Sequence, residues 1–531
     1  MDFDGIVIGA GFSGLYALYR LRRLGLSVRV FERGSGIGGT WFWNRYPGAR
    51  CDVESLDYSY SFSPELEQEW EWTERYPTQP EILRYLNHVA DRFDLWRDIQ
   101  LETTIVRAEY SDAANRWTIT TADGHTFTAR YCIMAVGCLS SVNEPTFTGL
   151  ETFQGQWYQT SRWPHDKVDF SGQRVACIGT GSSGIQTIPQ LARQAAHLYV
   201  FQRTPNFSIP ARNAPLDTET QQQVKATYPE RRQKARQSRA GLALDPPLRG
   251  ALDDTPEDRQ NNYEAGWRKG GIGSVNGAYN DLLVSPEANQ TVADFVRGKI
   301  REIVHDPAVA EVLMPVDYPF GTKRLCVDID YYETYNRDNV TLVDLRRDPI
   351  EAIVPTGIRT RSTSYQVDSI VFAIGFDAMT GPLFDIDIRG RGGRTLKDKW
   401  ADGPHTYLGI ATAGFPNLFL VTGPGSPSVL SNMVTSIEQH VEWITDCLRY
   451  LREHDLDCIE ADVAAEDAWV AHVNELASRT LYPLAKSWYM GANIPGKPRI
   501  FMPYVGGVGA YRIKCDEVAA QGYAGFLLAH A

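Results

Sequence analysis

The stretch FQGQWYQTSRWPHDKVDFSGQRVACIGTGSSG, Phe153 to Gly184, decides the fold. Its second half runs from an apolar strand, Val175-Ala176-Cys177-Ile178, into Gly179-x-Gly181-x-x-Gly184 and then into an apolar helix from Ile185. Strand, glycine triplet and helix in that order form a dinucleotide-binding fingerprint. The glycines let the backbone close on a pyrophosphate, and the helix N-terminus offers amide donors and positive potential. A second copy stands at the N-terminus, where Gly5-Ile6-Val7-Ile8 leads into Gly9-x-Gly11-x-x-Gly14. Leu15, Leu18, Leu21 and Leu24 keep helical spacing, and Val28 to Glu32 forms the next strand. Two such units in one chain imply an enzyme that passes electrons between two dinucleotides.

The tips of the second strands differ in charge. Glu32 lies about 20 residues beyond its glycines, where a carboxylate accepts from both ribose hydroxyls and repels a 2′-phosphate. The first unit is therefore expected to take FAD or NAD rather than NADP. In the second unit, the strand from His197 ends in Arg203 and Thr204. A guanidinium forks onto a phosphate, so Gly179, Gly181, Ser182, Gly184, Arg203 and Thr204 are expected to hold NADPH.

Outward from these units, Gly38-Gly39-Thr40-Trp41 and Asn44 to Asp52 carry glycines, a proline and aromatics without periodicity. An ordered loop against a flat ligand such as an isoalloxazine ring fits that composition. Tyr131 to Gly137 reads as a strand with a small-residue end. Residues 217–318 turn polar and helical and are expected to form a mainly helical insertion in the second unit. The basic run Arg231-Arg232-Gln233-Lys234, with Arg236 and Arg239, is expected to be a solvated helix face. The chain returns to the second unit at Tyr318 to Arg324, and a strand from Asp368 to Asp377 closes it. A turn at Gly423 to Ser428 then precedes a helix of about Asn432 to Glu453, and a late segment reads Ser487 to Asn493. The expected fold class is α/β: two Rossmann-like dinucleotide-binding domains, for FAD and NADP, with a mainly helical insertion. The boundaries expected are 1–140 and 376–531 for the FAD domain, 141–216 and 319–375 for the NADP domain, and 217–318 for the insertion.

Bulk properties narrow the class. The chain has 531 residues, with 53 Lys and Arg against 65 Asp and Glu, a net charge of −12. An acidic surface argues against nucleic acid or an anionic membrane as partner. The 8 cysteines are scattered with no C-x-x-C, so neither a metal site nor a disulfide framework is expected. No signal peptide or membrane-length apolar run is visible, and a cytoplasmic protein, monomeric or weakly oligomeric, is expected.

Phe153-x-Gly155-x-x-x-Gln159-x-x-x-Trp163-Pro164 resembles the F-x-G-x-x-x-H-x-x-x-W-P signature of type I Baeyer–Villiger monooxygenases. Gly39-x-Trp41-x-x-x-x-Tyr46-Pro47-Gly48-x-x-x-Asp52 resembles that family's second signature. Lys323-Arg324, Gly375-Phe376-Asp377, the Gly423 to Ser428 turn and Ser487-Trp488 extend the resemblance over nearly the whole chain. Ile209 to Leu216, Tyr318 to Arg324 and Ser436 to His440 resemble the phenylacetone monooxygenase-like members. Two positions depart: the signature histidine is Gln159, and the usual A-T-G-F-D reads Ala373-Ile374-Gly375-Phe376-Asp377. Glutamine keeps a donor and an acceptor but carries no charge, which suits a role bracing the loop between nucleotide domains.

The resemblance implies an NADPH- and O2-dependent flavoprotein that acts through a peroxyflavin. It would insert one oxygen beside a ketone carbonyl to give an ester or lactone, with sulfides as a second substrate class. It assigns Arg324 and Asp52 to catalysis. Gly9, Gly11, Gly14, Glu32, Gly39, Thr40, Trp41 and Asp52 would serve FAD. Lys323 would join Arg203 and Thr204 on the 2′-phosphate, and Trp488 would touch the nicotinamide nucleotide. Three other readings compete. They are a sulfur- or nitrogen-oxidising flavin monooxygenase, a disulfide reductase (which needs a cysteine pair the sequence does not space) and a non-catalytic redox sensor.

Overall fold

The computed structural model describes residues 1–530. In the first unit, β1 (Phe3–Ile8) runs through the glycine turn into α1 (Phe12–Arg23) and returns as β2 (Val28–Phe31). Consecutive residues Ile6, Val7 and Ile8 of β1 are apolar and buried, so both faces are covered there, as a central parallel strand requires. The strand β3 (Ile99–Gln100) extends the sheet beyond β2. On the other side of β1 lies β6 (Thr126–Met134), preceded by the antiparallel pair β4 (Ile105–Ser111) and β5 (Arg116–Thr121). The strand predicted to reach Gly137 stops at Met134, because Gly137 adopts φ +75° and turns the chain out of the sheet.

The second unit repeats the plan. Edge strand β7 (Gln156–Gln159) precedes β8 (Arg174–Ile178), which leads through its glycines into α2 (Ser182–Gln194) and β9 (His197–Gln202). With β10 (Val340–Asp344) and β11 (Ser369–Phe372), the sheet order is β10-β9-β8-β11-β7, all parallel. The strand β9 ends at Gln202, so Arg203 and Thr204 occupy the turn just past its tip. The first sheet is completed by β12 (Asp387–Arg389) against β4 and β13 (Leu418–Leu420) against β6. In each unit the glycine turn sits where strand order reverses, the position at which open α/β sheets form their crevice.

The helical segment does not pack as one body on the second unit. Its first two helices, α3 (Thr218–Ala226) and α4 (Tyr228–Gln237), place Val224 and Tyr228, and the loop after them Leu242, in the core of the first unit with Leu15, Val30 and Tyr131. The later helices α5 (Pro256–Lys269), α6 (Pro286–Ile303) and α7 (Pro307–Leu313) join the second core through Tyr263, Trp267, Val292 and Leu313. The basic run is consequently not a solvated face. Arg232 on α4 is buried and meets Glu67 at 2.7 Å and Ser59 Oγ at 2.7 Å, while Arg231 meets Asp57 at 2.6 Å. Gln233, Lys234 and Arg239 stay exposed as expected, Lys234 against Asp245. Helical spacing showed which residues share a face but not that acidic partners stand opposite it.

Candidate active site

The two glycine turns are built alike. Gly9 and Gly179 adopt φ +104° and +111°, a region a side chain disfavours, and each backs onto a carbonyl of the neighbouring strand end, Ala135 or Ala373. A Cβ on Gly14 would overlap the carbonyl oxygen of Gly9, and one on Gly184 would overlap that of Gly179. Both helices begin on a glycine, Gly11 or Gly181, with no side-chain cap and no acid in the first turn. Their first amides are thus left for an anion. A Cβ on Gly181 would meet nothing within 4 Å, so the second turn faces open space. Gly11 instead approaches Gly39, at the start of the short Thr40–Trp43 helix. That turn carries Trp41, buried, whose indole Nε1 donates to Tyr58 Oη at 3.1 Å.

Glu32 is buried just past β2, where its oxygens accept from the amides of Ala10 (2.8 Å) and Gly34 (2.7 Å). A carboxylate anchored at the first turn fits a ribose diol and not a phosphate. In the second unit, neither Arg203 nor Lys323 forms an ion pair among the described residues. Burial, and then the neighbouring Arg203, pulls the Lys323 pKa below the ordinary lysine range. Its ammonium lies 4.4 Å from the Tyr318 ring centroid. Asp317 opposes the pKa shift without reaching ion-pair distance, so two neighbouring cations are left as the donor set a phosphate neutralises. Thr204 offers its carbonyl to Thr180 Oγ1 (3.1 Å), which leaves its hydroxyl free, and Ser182 Oγ lies 3.3 Å from Cys326 Sγ.

Asp52 and Arg324 meet between the units. Arg324 Nη2 donates to Asp52 Oδ1 and Oδ2, both at 2.7 Å, Nε donates to Oδ2 at 3.1 Å, and Nη1 donates to the Val429 carbonyl at 2.9 Å. Burial opposes the Arg324 charge, but Asp52 and the Tyr489 phenol outweigh it, so its pKa lies above the ordinary arginine value. Beside the pair stand Val429, Tyr482 and Tyr489, members of a buried cluster that also holds Cys138, with Leu283 and Trp488 packed against it. Trp488 packs on Tyr489 with ring centroids 4.3 Å apart. Tyr489 escaped the sequence reading although it adjoins Trp488. The Val429 contact could not have been found, being a backbone carbonyl. Leu283 belongs to the helical segment and is tied to the C-terminal part where its carbonyl accepts from the Leu481 amide (2.9 Å).

The signature residues turn out to hold the frame. A Cβ on Gly155 would overlap the Asp368 carbonyl, and Trp163 is buried in the second core. Gln159, also buried, donates from Nε2 to the Asn143 carbonyl at 2.6 Å. Asn143 lies where the two connections between units run side by side, with Val142 bridged to Phe376 and the Asp377 amide donating to the Ser141 carbonyl (3.0 Å). All 8 cysteines are buried and free.

A family model described as pyridine nucleotide-disulphide oxidoreductase matches residues 6–240. A Baeyer-Villiger monooxygenase of Pseudooceanicola batsensis is 44% identical over 525 residues, covering 98% of this chain and 95% of that one. The chain belongs to the Baeyer–Villiger monooxygenase family. Another relative of this monooxygenase is the phenazine N-monooxygenase of Lysobacter antibioticus, 44% identical over 99% of this chain and 97% of that one. Among solved structures, an oxidised steroid monooxygenase bound to NADP is 52% identical with a TM-score of 0.97, covering 100% of both chains. The OTEMO complex with FAD and NADP is 40% identical with a TM-score of 0.96, covering 99% of both. No helix among the described residues is long and apolar enough to cross a membrane.

Proposed function

We propose that this protein oxidises ketones with NADPH and O2, giving an ester or lactone, NADP+ and water. FAD and NADPH, once bound, supply the oxygen-activating redox chemistry and the hydride. The observation that carries the reading is the half-buried Asp52–Arg324 pair between the two nucleotide units. Beside it lies a buried apolar cluster that includes Cys138, Val429, Tyr482 and Tyr489.

Each residue has a distinct task. Gly9, Gly11, Gly14, Glu32, Gly39, Thr40 and Trp41 cradle FAD. Gly179, Gly181, Ser182, Gly184, Arg203, Thr204 and Lys323 take NADPH, with Trp488 against the nicotinamide nucleotide. Arg324 keeps its charge at any working pH, so it stabilises negative charge that develops on oxygen during the reaction. Asp52 fixes the guanidinium plane through both carboxylate oxygens rather than one. The apolar cluster excludes water, which strengthens that electrostatic effect. Gln159 braces the paired connections between units and needs no charge to do so. Residues 1–140 and 376–531 form the FAD domain, 141–216 and 319–375 the NADP domain, and 217–318 the insertion. The protein acts in the cytoplasm as a monomer or weak oligomer.

A second activity, oxygen transfer to sulfur or nitrogen, is supported by the similarity to a phenazine N-monooxygenase. One experiment separates the two. Purified holoprotein is given NADPH with linear, cyclic and aryl ketones, a thioether and an aromatic N-heterocycle, and products are scored rather than NADPH loss. Ester or lactone from a ketone supports the reading; S- or N-oxide alone replaces it. A protein that stays colourless after incubation with FAD refutes both.

A further inference from the structure

The loop that carries Asp52 rests on the helix of the other nucleotide unit, and one side chain makes the joint. Gln186 lies on α2, two residues past the last fingerprint glycine. Its Oε1 accepts from the Tyr46 hydroxyl (2.8 Å) and the Arg50 amide (3.4 Å), while its Nε2 donates to the Arg50 carbonyl (3.0 Å). A side-chain amide thereby pairs with both backbone groups of one residue, as an adjacent strand would. Packing agrees. Tyr46 and Ala49 are members of the second core although they precede it by more than a hundred residues. Gly48, at φ +85°, lets the loop backbone touch the helix, since a Cβ there would overlap the Gln186 carbonyl oxygen.

Beyond the joint, the chain is short and fully bonded. Arg50 stands two residues before Asp52, and Asp52 holds Arg324 through both carboxylate oxygens. Arg50 Nη1 also donates to Glu74 at 2.9 Å, and Glu74 accepts from Asn213, on the segment leaving the second unit, at 2.5 Å. The Asp52 segment is therefore fixed to the second unit at two places.

We infer that Gln186 is a positioning residue that locks the Asp52 segment to α2 and so transmits the placement of the nicotinamide-nucleotide unit to the Asp52–Arg324 pair. The inference rests on the proposed function for which unit takes NADPH. The chemistry of the joint is narrow. An ionised glutamate at this position has no donor for the Arg50 carbonyl, whereas a protonated one regains it. Asparagine is one methylene too short to span the same pair.

Gln186→Ala and Gln186→Glu are compared with the parent holoenzyme in two measurements. The first is ester formed per NADPH oxidised, followed from neutral pH down past the glutamate pKa of about 4.3. The alanine variant is expected to lose yield on the order of tenfold at every pH, as a small misplacement of a catalytic pair does. The glutamate variant is expected to lose it at neutral pH and recover on acidification, which a merely structural role would not produce. The second measurement is the rate of trypsin cleavage after Arg45 and Arg50, expected to be faster in both variants. Should the alanine variant fail to retain FAD, the glutamate variant decides alone. Parental yield at every pH overturns the inference whatever the cleavage rate. A parent that makes no ester from any ketone refutes the proposed function instead, and cleavage then decides: faster in the variants supports the joint, unchanged overturns it.

Discussion

Arg324 grips Asp52 side-on, with Nη2 at 2.7 Å from each carboxylate oxygen and Nε at 3.1 Å from Oδ2, while Nη1 reaches the Val429 carbonyl at 2.9 Å. The guanidinium is thus fixed in plane and position by two segments far apart in the chain. A charge so held needs no reorganisation when it acts, which is the condition under which a single group contributes most to rate.

Arg324→Ala is expected to retain FAD and to oxidise NADPH slowly, with ester formation reduced on the order of a hundredfold or more. Arg324→Lys should not restore it, because a single ammonium cannot span both Asp52 oxygens and Val429. Product assays beside NADPH consumption check this, and parental ester yield from Arg324→Ala would remove the residue from catalysis.

Neither Arg203 nor Lys323 forms an ion pair among the described residues, and burial and then Arg203 outweigh Asp317 and depress the Lys323 pKa. The parent is expected to prefer NADPH over NADH. Arg203→Ala should lower kcat/KM for NADPH by roughly tenfold or more while leaving that for NADH nearly unchanged. Equal kcat/KM for the two nucleotides in the parent would contradict the assignment of the second unit.

Arg232 and Glu67 form an ion pair whose side chains are 10% and 8% exposed, at the seam between α4 and the first unit. Removing one member leaves the other buried and unpaired. Arg232→Ala is expected to destabilise the holoprotein by about 3 kcal/mol or more, seen as a lower unfolding midpoint at fixed FAD concentration. An unchanged midpoint would mean that water reaches the seam.

Asp328 is buried, and burial raises its pKa from 3.8 to about 7 despite hydrogen bonds from Ser208 Oγ and the Tyr331 amide. Burial likewise raises Glu438 from 4.5 to about 7, beside Glu442. For both, the stability contribution is full below the unfolded pKa and is lost as pH rises toward 7. His440 acts in the opposite sense. Burial lowers its pKa from 6.5 to about 3, with Nδ1 accepting from the Thr422 amide and Nε2 facing Tyr511 Oη. Its contribution is full above 6.5 and is lost as pH falls toward 3. Asp328→Asn mimics the protonated acid, so relative to the parent its melting temperature is expected to be unchanged near pH 3.8 and to rise progressively to a plateau above about pH 7. A shift of equal size at both ends would show that Asp328 does not titrate in that range.

The sequence by itself determined what local geometry demands. Glycine triplets at fixed spacing after an apolar strand force one turn, because only glycine accepts the positive φ of Gly9 and Gly179 or the closeness of Gly14 to Gly9. The match expected between Glu32 and Arg203 is off by one residue: Ile8 pairs with Phe31 and Ile178 with Phe201, so Gln202 takes the place that Glu32 has and Arg203 lies one residue further on. The resemblance supplied Asp52 and Arg324 as types at positions. Their bond, 272 residues apart in sequence, exists only because two sheets are set against one another. Tertiary structure alone decided that α4 turns its arginines inward to Asp57 and Glu67, that Leu283 packs from the helical segment against the cluster of Val429 and Tyr489, and that Gln186 meets Arg50. Such contacts depend on which surfaces face each other after folding, and no spacing within a single segment records that.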